Sequence, residues 1–118
     1  MLTIEQLLAA HCRPLEGHAA LSADQIKAQL KLLSEWSLRD GAITRSYRFA
    51  DYYQTLAFVN ALAFMVHRED HHPDLQVGYS RCEVRFNTHS VGGISENDFI
   101  CAAKADAIFA QRYGIATE

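Results

Sequence analysis

Residues 36–49 read Trp-Ser-Leu-Arg-Asp-Gly-Ala-Ile-Thr-Arg-Ser-Tyr-Arg-Phe, WSLRDGAITRSYRF. Asp40-Gly41 falls between two alternating segments. An Asp-Gly pair in that setting is the strongest short-range hairpin signal, because both central positions of a type I′ turn need positive φ. The stretch predicts two antiparallel strands, over 36–39 and 42–49.

Working outward, Asp51 caps a helix with Gln54 three positions on, and YYQTLAFVNALAFMVH carries it to about residue 68. That helix is apolar on nearly every side, so it calls for two covers, its own sheet and a second surface such as another subunit. Upstream, SADQ opens a helix at Ser22, with Gln25 completing the cap; Ile26, Leu30 and Leu33 form its buried stripe beside Lys27 and Lys31. Downstream, LQVGYS (75–80) and RCEVRFNTH (81–89) read as strands, the second from the alternation of Cys82, Val84 and Phe86 with Arg81, Glu83 and Arg85. The connection between them, near Tyr79 to Arg81, is poorly marked. A last helix begins at Ser95, where Asp98 can complete a capping box, and runs to near Gly114. The predicted order is α-β-β-α-β-β-α: an α+β domain whose four-stranded antiparallel sheet carries three helices on one face.

The 118 residues, 49% hydrophobic, suit a single domain over 1–118. Residues 1–20 read as an N-terminal extension, irregular over HCRPLEGHAA (11–20). The net charge of −3, from 11 basic and 14 acidic residues spread along the chain, offers no footprint for a nucleic-acid backbone. No apolar run is long enough to span a bilayer, and the start, MLTIEQLLAAHCRPLEG, lacks a basic leader region. The expectation is a soluble, cytoplasmic protein without membrane or nucleic-acid partners. Cys12, Cys82 and Cys101 are odd in number and widely spaced, which predicts reduced thiols rather than a disulfide framework or a metal knuckle.

The densest titratable patch is REDHHPDL, residues 68–75. Four of the six histidines, His67, His71, His72 and His89, fall around it or in the half of the chain that follows. Pro73 excludes the helical region for His72 and puts His71 at or beyond the helix end, so the two rings diverge and are awkward partners for one metal ion. Differently oriented imidazoles around one ligand suit general acid and general base roles, with Asp70 placed to orient a ring or hold a polar ligand edge. His89 ends a strand before Gly92-Gly93, a loop able to bring it to the same mouth. Spacing alone leaves three readings open: a polar turn at a helix end, acid/base catalysis, and a zinc or iron site. Asp98 reads as a helix cap, and Trp36 and Tyr79 as core or edge aromatics.

The run from His67 to Asp98, HREDHHPDLQVGYSRCEVRFNTHSVGGISEND, resembles the signature of the pterin-4a-carbinolamine dehydratases, with His67, His71, His72, Pro73, Tyr79, His89 and Asp98 in its places. His67 stands where many relatives carry an acid. The likeness extends through Trp36 to Ile43, YRFADYYQTLAFVNALAF and THSVGGISENDF, covering roughly residues 22–110. It implies dehydration of 4a-hydroxytetrahydropterin to quinonoid dihydropterin, in the recycling of tetrahydrobiopterin behind an aromatic amino acid hydroxylase. His71, His72 and His89 would be catalytic, and Asp70, Asn87, Thr88 and Ser90 would bind the substrate, with Trp36 a further binding candidate. It implies no cofactor and no metal, and a homodimer or homotetramer. The competing expectations are a protein-binding regulatory module, a dimerisation cofactor by analogy with animal relatives, and a histidine metal-binding protein.

Overall fold

Asp40 and Gly41 both take positive φ, 49° and 78°, and make the tight turn that their sequence predicts. The turn joins β1 (Ser37–Arg39) to β2 (Ala42–Arg48), with Leu38 opposite Ile43. The protein is described here by a computed structural model covering residues 1–111; the predicted helix end near Gly114 lies outside the described residues. Two further strands, β3 (Asp74–Val77) and β4 (Arg81–Phe86), complete an antiparallel sheet in the order β1-β2-β4-β3.

Register decides the faces. Ile43 pairs with Phe86, Arg45 with Val84 and Tyr47 with Cys82, so these residues share the side that the helices cover, while Arg81, Glu83 and Arg85 lie on the other. Cys82, Val84 and Phe86 are fully buried against Phe58 and Leu62 of α3 (Tyr52–Glu69) and Phe99 and Ile100 of α4 (Glu96–Gln111). Each such side chain contributes about 1.5–3 kcal/mol by leaving water. The helices start as their caps predict. Ser22 accepts from Gln25 N–H at the start of α2 (Ala23–Leu30), and Asp51 from Gln54 N–H at the start of α3.

Three expectations change. β3 ends at Val77 rather than at residue 80, because Gly78 N–H donates to Arg81 O (2.7 Å) and the Thr55 hydroxyl of α3 holds the Tyr79 carbonyl (2.9 Å), which bends the chain into a turn. β4 stops at Phe86, and beyond it only an isolated bridge joins Thr88 to Gly93. The third change is a further helix, α1 (Ile4–Ala9), the fourth α-helix among the described residues, which packs the beginning of residues 1–20 onto the domain. Thr3 and Gln6 form a reciprocal capping box, Leu7 is fully buried, and Gln29 exchanges two hydrogen bonds with the Leu2 backbone. Six residues are too few to hold a helix in water, so α1 depends on α4, against which it lies. Among the described residues no helix is long and apolar enough to cross a membrane.

Candidate active site

The C-terminus of α3 is where the histidines are presented. Asp70 closes the helix in the left-handed region (φ 53°, ψ 43°), a conformation that Asp tolerates better than most residues, and His71 N–H still reaches back to Val66 O (3.2 Å). The chain then turns outward at His72-Pro73 into β3. On the neighbouring strand, β4 gives way after Phe86 to Asn87-Thr88 and a single turn of 3₁₀ helix, His89–Val91. That turn closes on Gly92, whose φ of 69° suits glycine, and Gly93 comes so near Ala20 that a Cβ on it would lie 3.1 Å from the alanine's.

Between these two segments lies a cleft of about 240 Å³. His71, His72 and His89 all line it, and so do Asp70, Asn87, Thr88 and Ser90. Asp74 and Arg85, opposite each other across β3 and β4, complete the wall. Trp36 is not there. It is buried in the core, packed on Phe86, and its indole N–H donates to the Asp106 carboxylate (3.0 and 3.1 Å). His67 is exposed on α3 away from the cleft, and Tyr79 stacks on Tyr52 at the surface.

The three cleft histidines are held differently. His71 is mostly buried: its ring lies nearly parallel to Phe86 (centroids 5.9 Å apart, planes 10° apart), and its Nε2 is 2.6 Å from Asp98 Oδ1. Asp98 is fully buried and also accepts from Ser95 N–H (2.8 Å) and the Thr88 hydroxyl (2.8 Å). A carboxylate only accepts, so Nε2 carries the hydrogen and Nδ1 is left as the nitrogen able to exchange a proton. His72 and His89 are exposed at the mouth.

Asp98 is therefore a helix cap, as its spacing from Ser95 predicts, and also the carboxylate that orients a histidine. Asp70, the carboxylate adjacent in sequence, is exposed instead. The Thr88 hydroxyl is occupied by Asp98 and Ser95 (2.6 Å), so Thr88 offers a ligand its backbone and methyl more than its oxygen. Among the described residues no three His, Cys, Asp or Glu side chains are grouped to hold a metal ion.

The family model described as pterin 4 alpha carbinolamine dehydratase matches residues 19–108. The chain belongs to the pterin-4a-carbinolamine dehydratase family. Membership places it among the hydro-lyases and covers every residue of the cleft. Relatives provisionally named pterin-4-alpha-carbinolamine dehydratase include one from Bdellovibrio bacteriovorus, 51% identical over 117 residues (96% of each chain). Another, from Xanthomonas campestris pv. campestris, is 54% identical over 114 residues (94% of each chain). A transcriptional coactivator/pterin dehydratase from Brucella melitensis superposes with a TM-score of 0.73 at 34% identity, covering 75% of this chain and 97% of that one. A pterin dehydratase-like protein described as a RuBisCO assembly factor in the alpha-carboxysome shares the fold, with a TM-score of 0.52 at 24% identity over 62% of this chain and 84% of that one.

Two contributors to the site lie outside the histidine motif, Arg85 and the N-terminal segment. Strand alternation assigns Arg85 to the polar face but says nothing of a cleft on it, and Asp74, within the motif, joins the wall because β3 begins there, opposite Arg85. The segment Cys12 to Glu16 walls a second hollow of about 200 Å³ that shares Asp70, His71, Thr88 and Ser90 with the first. Glu69 anchors that segment. Burial would push its carboxyl up, but hydrogen bonds from Lys104 (2.8 Å), Cys12 N–H (2.8 Å) and His11 (3.0 Å), with the Lys104 charge, outweigh burial and bring it down to about 2.

Proposed function

We propose that the protein dehydrates 4a-hydroxytetrahydropterin to quinonoid dihydropterin, with His71, His72 and His89 as its acid/base groups. The observation that carries the reading is a buried carboxylate bracing one histidine of a three-histidine cleft, at 2.6 Å, while the other two stay accessible. Elimination requires that the C4a–O bond break as a proton reaches the hydroxyl, and that the neighbouring ring nitrogen lose its proton to form the new double bond. His71 takes the nitrogen's proton on Nδ1, and the Asp98 carboxylate stabilises the imidazolium that results. His72 or His89 delivers the proton to the departing hydroxyl. Asp70, Asn87 and Ser90, with the Thr88 backbone, meet the polar edge of the ring. No step calls on a metal or an organic cofactor.

In the cell this activity follows an aromatic amino acid hydroxylase, such as a phenylalanine hydroxylase, and returns tetrahydrobiopterin to use through a reductase. The protein works in the cytoplasm as a homo-oligomer. Supporting the oligomer, all of β3 is exposed although Leu75 and Val77 face the same side as buried Val84 and Cys82, and Tyr53 and Phe64 stand 80% and 67% exposed on α3. A sheet edge and an apolar helix face of this kind suit a second copy of the chain. Val77→Lys should lower the mass seen by light scattering; an unchanged mass would remove β3 from the interface.

The central test is kinetic. Protein added to chemically generated 4a-hydroxytetrahydropterin should speed quinonoid formation, and His72→Ala should remove about 100-fold or more of that gain. No acceleration over buffer would overturn the reading.

A further inference from the structure

Behind the cleft, two thiols that the dehydration does not use meet from segments 89 residues apart: Cys12 Sγ lies 3.6 Å from Cys101 Sγ. Cys101 is fully buried on α4, while Cys12 is partly exposed where the N-terminal segment begins to wall the second hollow. Their approach does not depend on either sulfur. Glu69 accepts from Cys12 N–H (2.8 Å), and Asn97 both accepts from Arg13 N–H (3.2 Å) and donates to Arg13 O (2.8 Å). Buried side chains thus clamp the backbone on both sides of Cys12 and hold its sulfur over α4.

We propose that Cys12 and Cys101 form a reversible thiol–disulfide site, and that closing it draws residues 12–16 onto α4 and reshapes the hollow beside His71. The oxidant is a hydroperoxide. The Cys12 thiolate attacks one peroxide oxygen and the O–O bond breaks, leaving a sulfenic acid on Cys12 and one molecule of water or alcohol. The Cys101 sulfur then attacks the Cys12 sulfur, the S–O bond breaks, and the hydroxide leaves as water with the Cys101 proton. Two thiols have lost two electrons and two hydrogens, and the peroxide has gained them. A dithiol reductant reverses the change by exchange.

The roles of the two sulfurs follow from their settings. Cys12 is the one a peroxide can reach. The hydrogen bond with Cys12, followed by burial, pushes the Cys101 thiol far up, which suits the resolving partner rather than the first nucleophile. A disulfide needs the sulfurs about 2.05 Å apart, so they must close by about 1.5 Å. Cys101 is fully buried on a sixteen-residue helix, whereas Cys12 is partly exposed in an irregular segment at the edge of the core, so the segment is the part that moves. Both S–H groups are lost as well, and with them every hydrogen bond the thiols can donate, to each other or to the nearby carbonyls of Asn97 (3.6 Å from Cys12) and His71 (3.9 Å from Cys101).

The chemical half of the proposal stands on the thiols alone; its effect on turnover rests on the dehydratase reading. The experiment treats the full chain with hydrogen peroxide and maps peptides by mass under non-reducing conditions, beside Cys12→Ser and Cys82→Ala. A Cys12–Cys101 cross-link, an intact mass lower by two hydrogens, reversal by dithiothreitol, loss of the link in C12S and its retention in C82A are the expected results. Oxidised protein should show kcat/KM for the carbinolamine lowered about tenfold and restored by reduction, less than a ~1 Å displacement of a reacting group costs. Sulfinic or sulfonic acids without the cross-link would overturn the site. A cross-link with kcat/KM unchanged would overturn its coupling to the cleft. Reduced protein without dehydratase activity would overturn the dehydratase reading instead, with the cross-link still scored by mass.

Discussion

Helix α4 carries two aspartates about two turns apart, and each gathers three partners. Asp98, fully buried at the start of the helix, gathers Ser95, Thr88 and His71. Asp106, further along and 26% exposed at its side chain, gathers the indole N–H of Trp36, the guanidinium of Arg45 (2.8 Å) and the hydroxyl of Tyr47. The chemistry of the two hubs is alike and their use is not. Two partners of Asp106, Trp36 and Tyr47, are buried in the core and the third, Arg45, lies over the Tyr47 ring, where burial and then the aspartate's charge hold the Tyr47 phenol firmly protonated. One partner of Asp98, His71, lines a cleft and keeps a ring nitrogen that the aspartate does not hold. A buried carboxylate becomes part of a reaction only when a group it holds can pass a proton onward.

Substitutions can break this contrast. Asp98→Asn keeps the shape, but its amide N–H₂ points a donor at His71 Nε2 and favours the other tautomer; kcat should fall about 100- to 10,000-fold with a modest drop in melting temperature. A variant within a few-fold of wild type in steady-state assays would reduce Asp98 to a helix cap. Asp106→Ala should do the opposite. It strands three donors at a cost of about 2–4 kcal/mol in denaturant unfolding, while kcat per folded molecule stays unchanged; a loss of kcat would merge the two hubs into one.

A third carboxylate, Glu69, lies between these cases, since it anchors the N-terminal segment rather than the core or the chemistry. Its carboxyl is held at about 2 against 4.5 when free, so the stability it adds is complete above pH 4.5 and is lost as the pH falls toward 2. Glu69→Gln should cost about 1–3 kcal/mol at neutral pH and flatten the melting-temperature profile across that acid window. A mutant profile as steep as wild type would assign the acid loss to other groups. The smallest effect belongs to Thr88→Val, which removes the hydroxyl between Ser95 and Asp98 and keeps the shape. It should cost about 1 kcal/mol and reduce kcat less than Asp98→Asn does.

How legible each part is depends on how far its partners lie along the chain. The Asp40-Gly41 hairpin and the caps at Ser22 and Asp51 are set within four residues, and the structure has them in place. Thr3 and Gln6 carry a cap of the same kind, yet over one and a half turns the signal is faint, and what stabilises α1 is Leu7 buried by residues far along the chain. The site divides likewise. HHP marks itself, because a proline after two histidines ends the helix and turns the rings apart. Asp98 reads from its neighbours as a cap and nothing more, since its bond to His71 spans 27 residues. Trp36 shows the converse: an aromatic beside the hairpin can be assigned to a ligand or to the core, and only Asp106, 70 residues away, decides for the core.

By itself the sequence determined the α+β order, the hairpin, the faces of β4 and the three histidines, because propensity, capping and alternation act over a few residues. Only the tertiary structure decided that Asp98 rather than Asp70 braces His71, that Glu69 and Asn97 clamp the N-terminal segment over α4, and that two distant thiols come within 3.6 Å. Those contacts join residues tens of positions apart, and their geometry exists only once the sheet and helices have closed on a common core.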